Sequence, residues 1–175
     1  MSPFAEQTVV RRTAGALASS LLALCAAGAH AQVADWQSPV PACVPANADT
    51  LNNATIVAPG NFVRAPLASG RNPPLIYICN VLDSYATVMP TWNWLRLQFN
   101  SPVAGSVVAQ MFSKDKITGG IGLVATVANP PSAGVAVAQV PLPALNFAID
   151  AYYIVVTLNP QTTFRVQAHM VSTAQ

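Results

Sequence analysis

Short stretches in which apolar and polar residues alternate recur along the chain from residue 54 onward. The clearest is Trp92–Phe99, where the apolar residues at positions 95, 97 and 99 alternate with Arg96 and Gln98. Side chains at alternate positions of a β-strand point to opposite faces, so this pattern predicts a half-buried strand. Leu75–Val81 differs because both of its faces are apolar, which predicts a central strand with cover on each side.

Turn-forming residues separate these stretches, and no segment after residue 32 has a helical period with caps. The pattern therefore predicts eight or nine short strands and almost no helix. The candidate strands are Ala54–Ala58, Asn61–Leu67, Leu75–Val81, Trp92–Phe99, Val107–Phe112, Ile121–Ala128, Val135–Val140, Tyr152–Leu158 and Phe164–Met170.

The predicted fold class is all-β. Strands this apolar need two packed layers, because a single open sheet would leave one apolar face in water. We expect a two-sheet antiparallel β-sandwich, of jelly-roll or Ig-like type, rather than a closed barrel. In the last strand, Phe164, Val166, Ala168 and Met170 are expected on the core face and His169 on the polar face.

Residues 1–31 have the features of a secretory signal peptide. Arg11 and Arg12 provide the positive charge, and an uncharged segment follows. Ala29-His30-Ala31 supplies the small residues that signal peptidase accepts, so cleavage is expected between Ala31 and Gln32. The prediction is export through a bacterial inner membrane, to the periplasm or the extracellular space, with no membrane span in the mature chain.

Other interpretations of this segment are weaker. The uncharged run of 17 residues from Thr13 to Ala29 is at the lower limit for a membrane anchor. A twin-arginine signal stays open, although Thr13-Ala14-Gly15 lacks the bulky apolar residues that usually follow the arginine pair. Leu22-Ala23-Leu24-Cys25 resembles a lipoprotein box, but Leu24 occupies the position that usually carries a small residue.

Cys43 and Cys79 are the two cysteines that remain once the signal peptide is removed. In an oxidising compartment such a pair predicts one disulfide, and the spacing lacks the C-x-x-C pattern of a redox pair. Residues 32–53 are rich in proline and show no sustained period, so we expect an extended leader that the disulfide ties to the sheet. Residues 54–175 are then a single sandwich domain.

Composition narrows the function classes. The chain is 53% hydrophobic and 8% charged with a net charge of +2, which argues against disorder and against a basic nucleic-acid binder. Residues 32–175 retain five aspartates, no glutamate and one histidine, His169. This set offers few groups for acid–base, nucleophilic or metal chemistry, so we expect no enzyme activity, metal or cofactor.

Aromatic side chains are the most suggestive candidates for a binding site. Alternation places Trp92 and Trp94 on the same outer face as Arg96, where they could stack on sugar rings or fill a protein interface. The alternative is that both indoles are covered and simply pack in the core. The candidate ligand-binding residues are Trp92, Trp94, Arg96, Tyr152 and Tyr153.

The low charge favours self-association or docking on another protein, because few groups are available to solvate the surface. The leading hypothesis is a secreted, non-enzymatic β-sandwich acting in assembly, adhesion or surface recognition, as a homo-oligomer or with another secreted or surface protein. A carbohydrate-binding module that uses the aromatic pair on a glycan is the alternative. A pilin-like subunit is a minor alternative, since the chain ends without the penultimate tyrosine expected of one.

Overall fold

The computed structural model describes residues 35–57, 62–64, 73–81, 92–159, 161 and 166–174. The expected signal peptide and its cleavage point between Ala31 and Gln32 lie outside the described residues. Within the described part of the chain, no helix is long and apolar enough to cross a membrane.

Eleven strands, one 3-10 turn and one short α-helix make up the described structure. The strands are β1 (Gln37–Pro39), β2 (Val44–Pro45), β3 (Thr55–Val57), β4 (Phe62–Arg64), β5 (Leu75–Asn80), β6 (Trp94–Asn100), β7 (Val107–Asp115), β8 (Ile121–Ala128), β9 (Ala136–Pro141), β10 (Asp150–Leu158) and β11 (Gln167–Ala174). The 3-10 turn spans Val40–Ala42, and helix α1 spans Ala48–Asn53. A strand is present in each of the nine segments predicted from alternation.

The strands form two antiparallel sheets that pack as a sandwich. Sheet A has the order β3–β4–β11–β6–β9, with β1 also paired to β11. Sheet B has the order β2–β5–β10–β7–β8. The predicted all-β, two-sheet antiparallel sandwich is therefore confirmed.

The pairing of the strands is nested. Strand β4 pairs with β11, β5 with β10, β6 with β9, and β7 with β8. This is the arrangement produced when one long hairpin of eight strands is rolled up, with its two arms lying against each other along their length. It is the jelly-roll pattern, so the structure selects that topology over the Ig-like one.

The core lies between the sheets and follows the alternation in the sequence. In β6 the buried positions are Leu95, Leu97 and Phe99, each with no exposed surface. In β10 they are Tyr152, Ile154, Val156 and Leu158. The inward-facing residues of β5 and β7 complete the same core, namely Leu75, Tyr77, Cys79, Val107, Ala109 and Met111.

The leader is more structured than its sequence predicts. Strand β1 pairs with β11 in sheet A, the chain turns through Val40–Ala42, and β2 pairs with β5 in sheet B. The predicted disulfide between Cys43 and Cys79 is present and fixes this crossing, with the two Cα atoms 4.6 Å apart. The leader therefore crosses from sheet A to sheet B and is hydrogen-bonded to both.

Helix α1 was not expected in a segment predicted to be extended. It begins at an asparagine cap, where the Asn47 side chain accepts a hydrogen bond from the backbone N–H of Thr50. The buried Thr50 hydroxyl in turn accepts a hydrogen bond from the backbone N–H of Ile76 at 2.9 Å. The cap and this contact with β5 explain why six residues without an apolar period form a helix.

Strand β11 departs from the predicted register. Val166 and Ala168 are buried as expected, but the pairing with β6 shifts between Ala168 and Met170. An extra residue in one strand reverses the facing of everything after it. Val171 and Thr173 consequently point into the core, and the prediction that Met170 lies on the core face is wrong.

Candidate functional site

The predicted outward-facing pair of tryptophans does not form. Trp92 is only 2% exposed, and its ring packs edge-on against Phe147 with the centroids 5.9 Å apart. Strand β6 begins at Trp94, so Trp92 belongs to the connection that precedes the strand and the alternation of faces does not extend to it. Trp92 is a core residue rather than part of a ligand platform.

Tyr152 is also a core residue. It is 6% exposed, and its ring lies 4.7 Å from that of Phe147, centroid to centroid. Its hydroxyl accepts a hydrogen bond from the backbone N–H of Asn146 at 2.8 Å and donates to Asp150 Oδ2 at 3.4 Å. Burial raises the pKa of this phenol. These contacts brace the 142–149 connection against β10, which is a structural role.

Trp94 and Arg96 lie on the outer face of sheet A, as predicted, and both are partly exposed. Arg96 donates a hydrogen bond from Nε to Gln139 Oε1 on the neighbouring strand at 3.2 Å. The described part of this face mixes polar side chains with apolar ones, and the apolar members include Pro39, Trp94, Val137, Pro141 and Met170. Its polar members are Gln37, Arg96, Gln98, Asn100, Gln139, Gln167 and Ser172.

Tyr153 lies on the opposite side of the molecule, on the outer face of sheet B. Its ring is stacked on that of Phe112 in the neighbouring strand, with centroids 5.4 Å apart and planes inclined by 14°. The five predicted site residues are therefore not brought together. Two are in the core, two are on the outer face of sheet A, and one is on the outer face of sheet B.

The outer face of sheet B forms a continuous lattice of side chains that the sequence analysis did not recognise as a site. Pairing across the strands arranges it in three rows. The first row is Ile76, Thr157, Val108 and Ala128; the second is Val44, Ile78, Val155, Gln110 and Thr126; the third is Asn80, Tyr153, Phe112 and Leu123. We call these thirteen residues the apolar sheet-B face.

This face is unusual for the outside of a sandwich. Nine of its thirteen residues are apolar and none is charged. All are at least partly exposed, and Val44 and Leu123 reach 61% and 58%. Antiparallel sheets with one solvated side normally alternate apolar and polar residues, as sheet A does. The apolar sheet-B face has the composition of a surface that another molecule covers.

One signal in the sequence did indicate this surface. The two apolar faces of Leu75–Val81 predicted cover on each side, and the structure places Ile76 and Ile78 on the outer face with intermediate exposure. Tyr153 and Val155 repeat the pattern in β10. Alternation alone could not show that these residues lie side by side, because that depends on the pairing of distant strands.

Titratable groups of the described residues are dispersed or already hydrogen-bonded. His169 lies at the register shift of β11, and partial burial lowers its pKa. Asp115 accepts hydrogen bonds from the backbone N–H groups of Thr118 and Ile117, which lower its pKa. The described ranges contain no group of three His, Cys, Asp or Glu residues that could hold a metal ion.

No protein-family model matches this chain, and no curated protein matches it significantly. The two outer faces of the sandwich are therefore the features that bear on function.

Proposed function

We propose that this protein is an exported, non-enzymatic β-sandwich that acts in assembly, adhesion or surface recognition. Its contact surface is the apolar sheet-B face. The observation that carries the proposal is the asymmetry of the sandwich, in which the outer face of sheet A is mixed and carries Arg96, whereas the outer face of sheet B is mostly apolar and uncharged. A partner on the second face would remove apolar side chains from water.

The apolar sheet-B face is large enough to matter energetically. Thirteen positions, with strands spaced by about 4.8 Å and rows by about 6.7 Å, give a footprint of roughly 420 Å². At about 25 cal/mol per Å² of apolar area, covering even half of it is worth roughly 5 kcal/mol before the cost of association is subtracted. This is sufficient for specific but weak binding.

Export is supported by the presence of the disulfide between Cys43 and Cys79, because structural disulfides persist mainly in oxidising compartments. The sequence of residues 1–31 supplies the rest of that argument. The carbohydrate-binding alternative is weakened by the burial of Trp92, which leaves Trp94 without its expected partner. The jelly-roll pairing likewise differs from the Ig-like sandwich that a pilin-like subunit requires.

Site-specific photo-crosslinking in the cells that produce the protein tests this proposal. The photoreactive amino acid p-benzoylphenylalanine replaces Tyr153 in one variant and Trp94 in a matched control, since both positions carry a partly exposed aromatic ring on an outer face. We expect an adduct of defined mass from position 153 and none from position 94. No adduct at position 153, or equal adducts at both positions, contradicts the proposal.

A further inference from the structure

We propose that the partner on the apolar sheet-B face is a second copy of this chain, packed sheet B against sheet B about a two-fold axis. This inference rests on the proposed function, and it names the partner of the same surface. Two sheets can pack face to face with their side chains interdigitated, as the two layers of one sandwich do. An isologous contact of this kind requires only that the face be complementary to itself.

The middle of the face is apolar and lies on the central strand of the sheet. Val155 occupies the middle row on β10, between Ile78 on β5 and Gln110 on β7. Above and below it on the same strand are Tyr153 and Thr157. A contact centred on Val155 therefore places the stacked rings of Tyr153 and Phe112 close to the centre, where aromatic residues contribute most to binding.

The charge pattern allows the face to meet its own copy. No charged residue lies in the three rows, so stacking two faces brings no like charges together within them. The nearest charged position on the same side of β7 is Lys114, one row beyond Phe112 and opposite Ala151 and Ile121. Lys114 therefore determines which two-fold arrangement is favourable.

An axis that runs across the strands along the middle row reverses the strand direction in the second copy. The two Lys114 side chains then lie at opposite ends of the contact, so their repulsion is avoided. In the same arrangement each residue of the middle row faces its own equivalent, and Gln110 meets Gln110 of the second copy. An axis parallel to β10 would bring both lysines to the same end, which is unfavourable.

The buried area of the contact determines how strongly two copies are expected to bind. Two footprints of roughly 420 Å² bury about 840 Å² in total, which is in the range of weak, transient interfaces and below the usual 1,600 Å². The expected dimer is weak and depends on concentration, with a Kd of about 1–100 µM. Such a contact would be strengthened wherever copies are held at high local concentration.

Sedimentation velocity of the purified full protein, from about 1 µM to about 1 mM, tests this inference over the range expected of a weak interface. The variant Gln110→Lys places two positive charges opposite each other across the axis. Gln98→Lys is its matched control, because Gln98 is also a partly exposed glutamine next to the edge strand of its sheet, but on the outer face of sheet A. Both glutamines are already in contact with water, so both variants should fold.

We expect the wild-type protein and Gln98→Lys to dimerise with the same Kd, and Gln110→Lys to weaken dimerisation by at least about tenfold through like-charge repulsion. A monomer at every concentration, or an equal effect of the two variants, overturns the inference. If the protein is monomeric while position 153 still gives an adduct with another macromolecule, the proposed function stands and the second copy is excluded. Absence of both the dimer and the adduct contradicts both proposals.

Discussion

Removing the disulfide tests how much this covalent bond between the leader and sheet B contributes to the stability of the domain. The perturbation is the double variant Cys43→Ala/Cys79→Ala. Without the bond, β1 and β2 pair with their sheets over three and two residue pairs, alongside the hydrogen bonds between Trp36 and Thr173. We expect the domain to remain folded as a sandwich, because the core strands do not depend on the leader for their pairing, but to be clearly less stable.

The magnitude follows from the length of the closed loop. The two cysteines are separated by 36 positions. In the chain-entropy model, releasing a loop of this length stabilises the unfolded chain by about 4 kcal/mol at 25 °C. The total stability of a domain of this class is about 5–15 kcal/mol, so the loss is a large fraction of it. The corresponding fall in Tm is about 10–15 °C.

Urea denaturation monitored by circular dichroism measures this loss of unfolding free energy. The side chains of Cys43 and Cys79 are 6% and 2% exposed, so truncating them also removes packing. Wild-type protein treated with a reductant is therefore the matched control, because it lacks the bond but keeps both sulfur atoms. Its loss of stability should be close to that of the double variant.

A loss below about 1 kcal/mol in both samples would refute the reasoning, because it would mean that the unfolded chain gains almost no freedom when the loop opens. A large loss in the double variant with almost none in the reduced wild-type protein would also refute it. That outcome would assign the effect to packing at the two sites rather than to the loop.

Three further predictions concern single residues. Trp92→Ala should lose about 3–5 kcal/mol of unfolding free energy and Trp94→Ala less than about 1, measured by urea denaturation, since only Trp92 is fully buried. Equal losses would contradict this assignment. Burial lowers the pKa of His169 from 6.5, so the stability that its neutral form contributes should be lost as the pH falls below about 6.5. Melting curves from about pH 7.5 to 5 should show this loss in wild-type protein and not in His169→Gln; parallel curves would exclude it. Asn129→Ala should cost about 2–4 kcal/mol, because the buried Asn129 carboxamide accepts from the Val107 N–H at 2.7 Å and that donor would be left without its partner. A cost below about 0.5 kcal/mol in chemical denaturation would show that another acceptor replaces it.

Alternation in the sequence was sufficient to predict the nine strands from β3 to β11 and the core residues of β6. Leu95, Leu97 and Phe99 are buried because a period of two is imposed by strand geometry and does not depend on the partner strand. Prediction failed where the chain leaves that geometry. Trp92 precedes the first paired residue of β6. Met170 follows a shift in register that no local pattern in the sequence indicates.

The candidate surface was less predictable than the fold, because it is a property of pairing between distant strands. Ile78 and Gln110 are 32 positions apart, and both flank Val155 only because β10 lies between β5 and β7. The choice of a jelly roll over an Ig-like sandwich has the same origin. The two apolar faces of Leu75–Val81, which predicted that both sides of this strand are covered, were the local sequence signal of that arrangement.

The pairing of β1 with β11 has a consequence for how the domain reaches its final state. The Thr173 backbone N–H donates a hydrogen bond to the Trp36 carbonyl oxygen, and the Trp36 N–H donates one to the Thr173 hydroxyl, although 137 positions separate the two residues. Strand β1 therefore has no pairing strand until β11 has been synthesised. Trp36, which is buried in the folded domain, stays exposed to water until β11 is available, and we expect this pairing to form slowly because of its long sequence separation. Deletion of β11 would therefore leave β1 without its pairing strand.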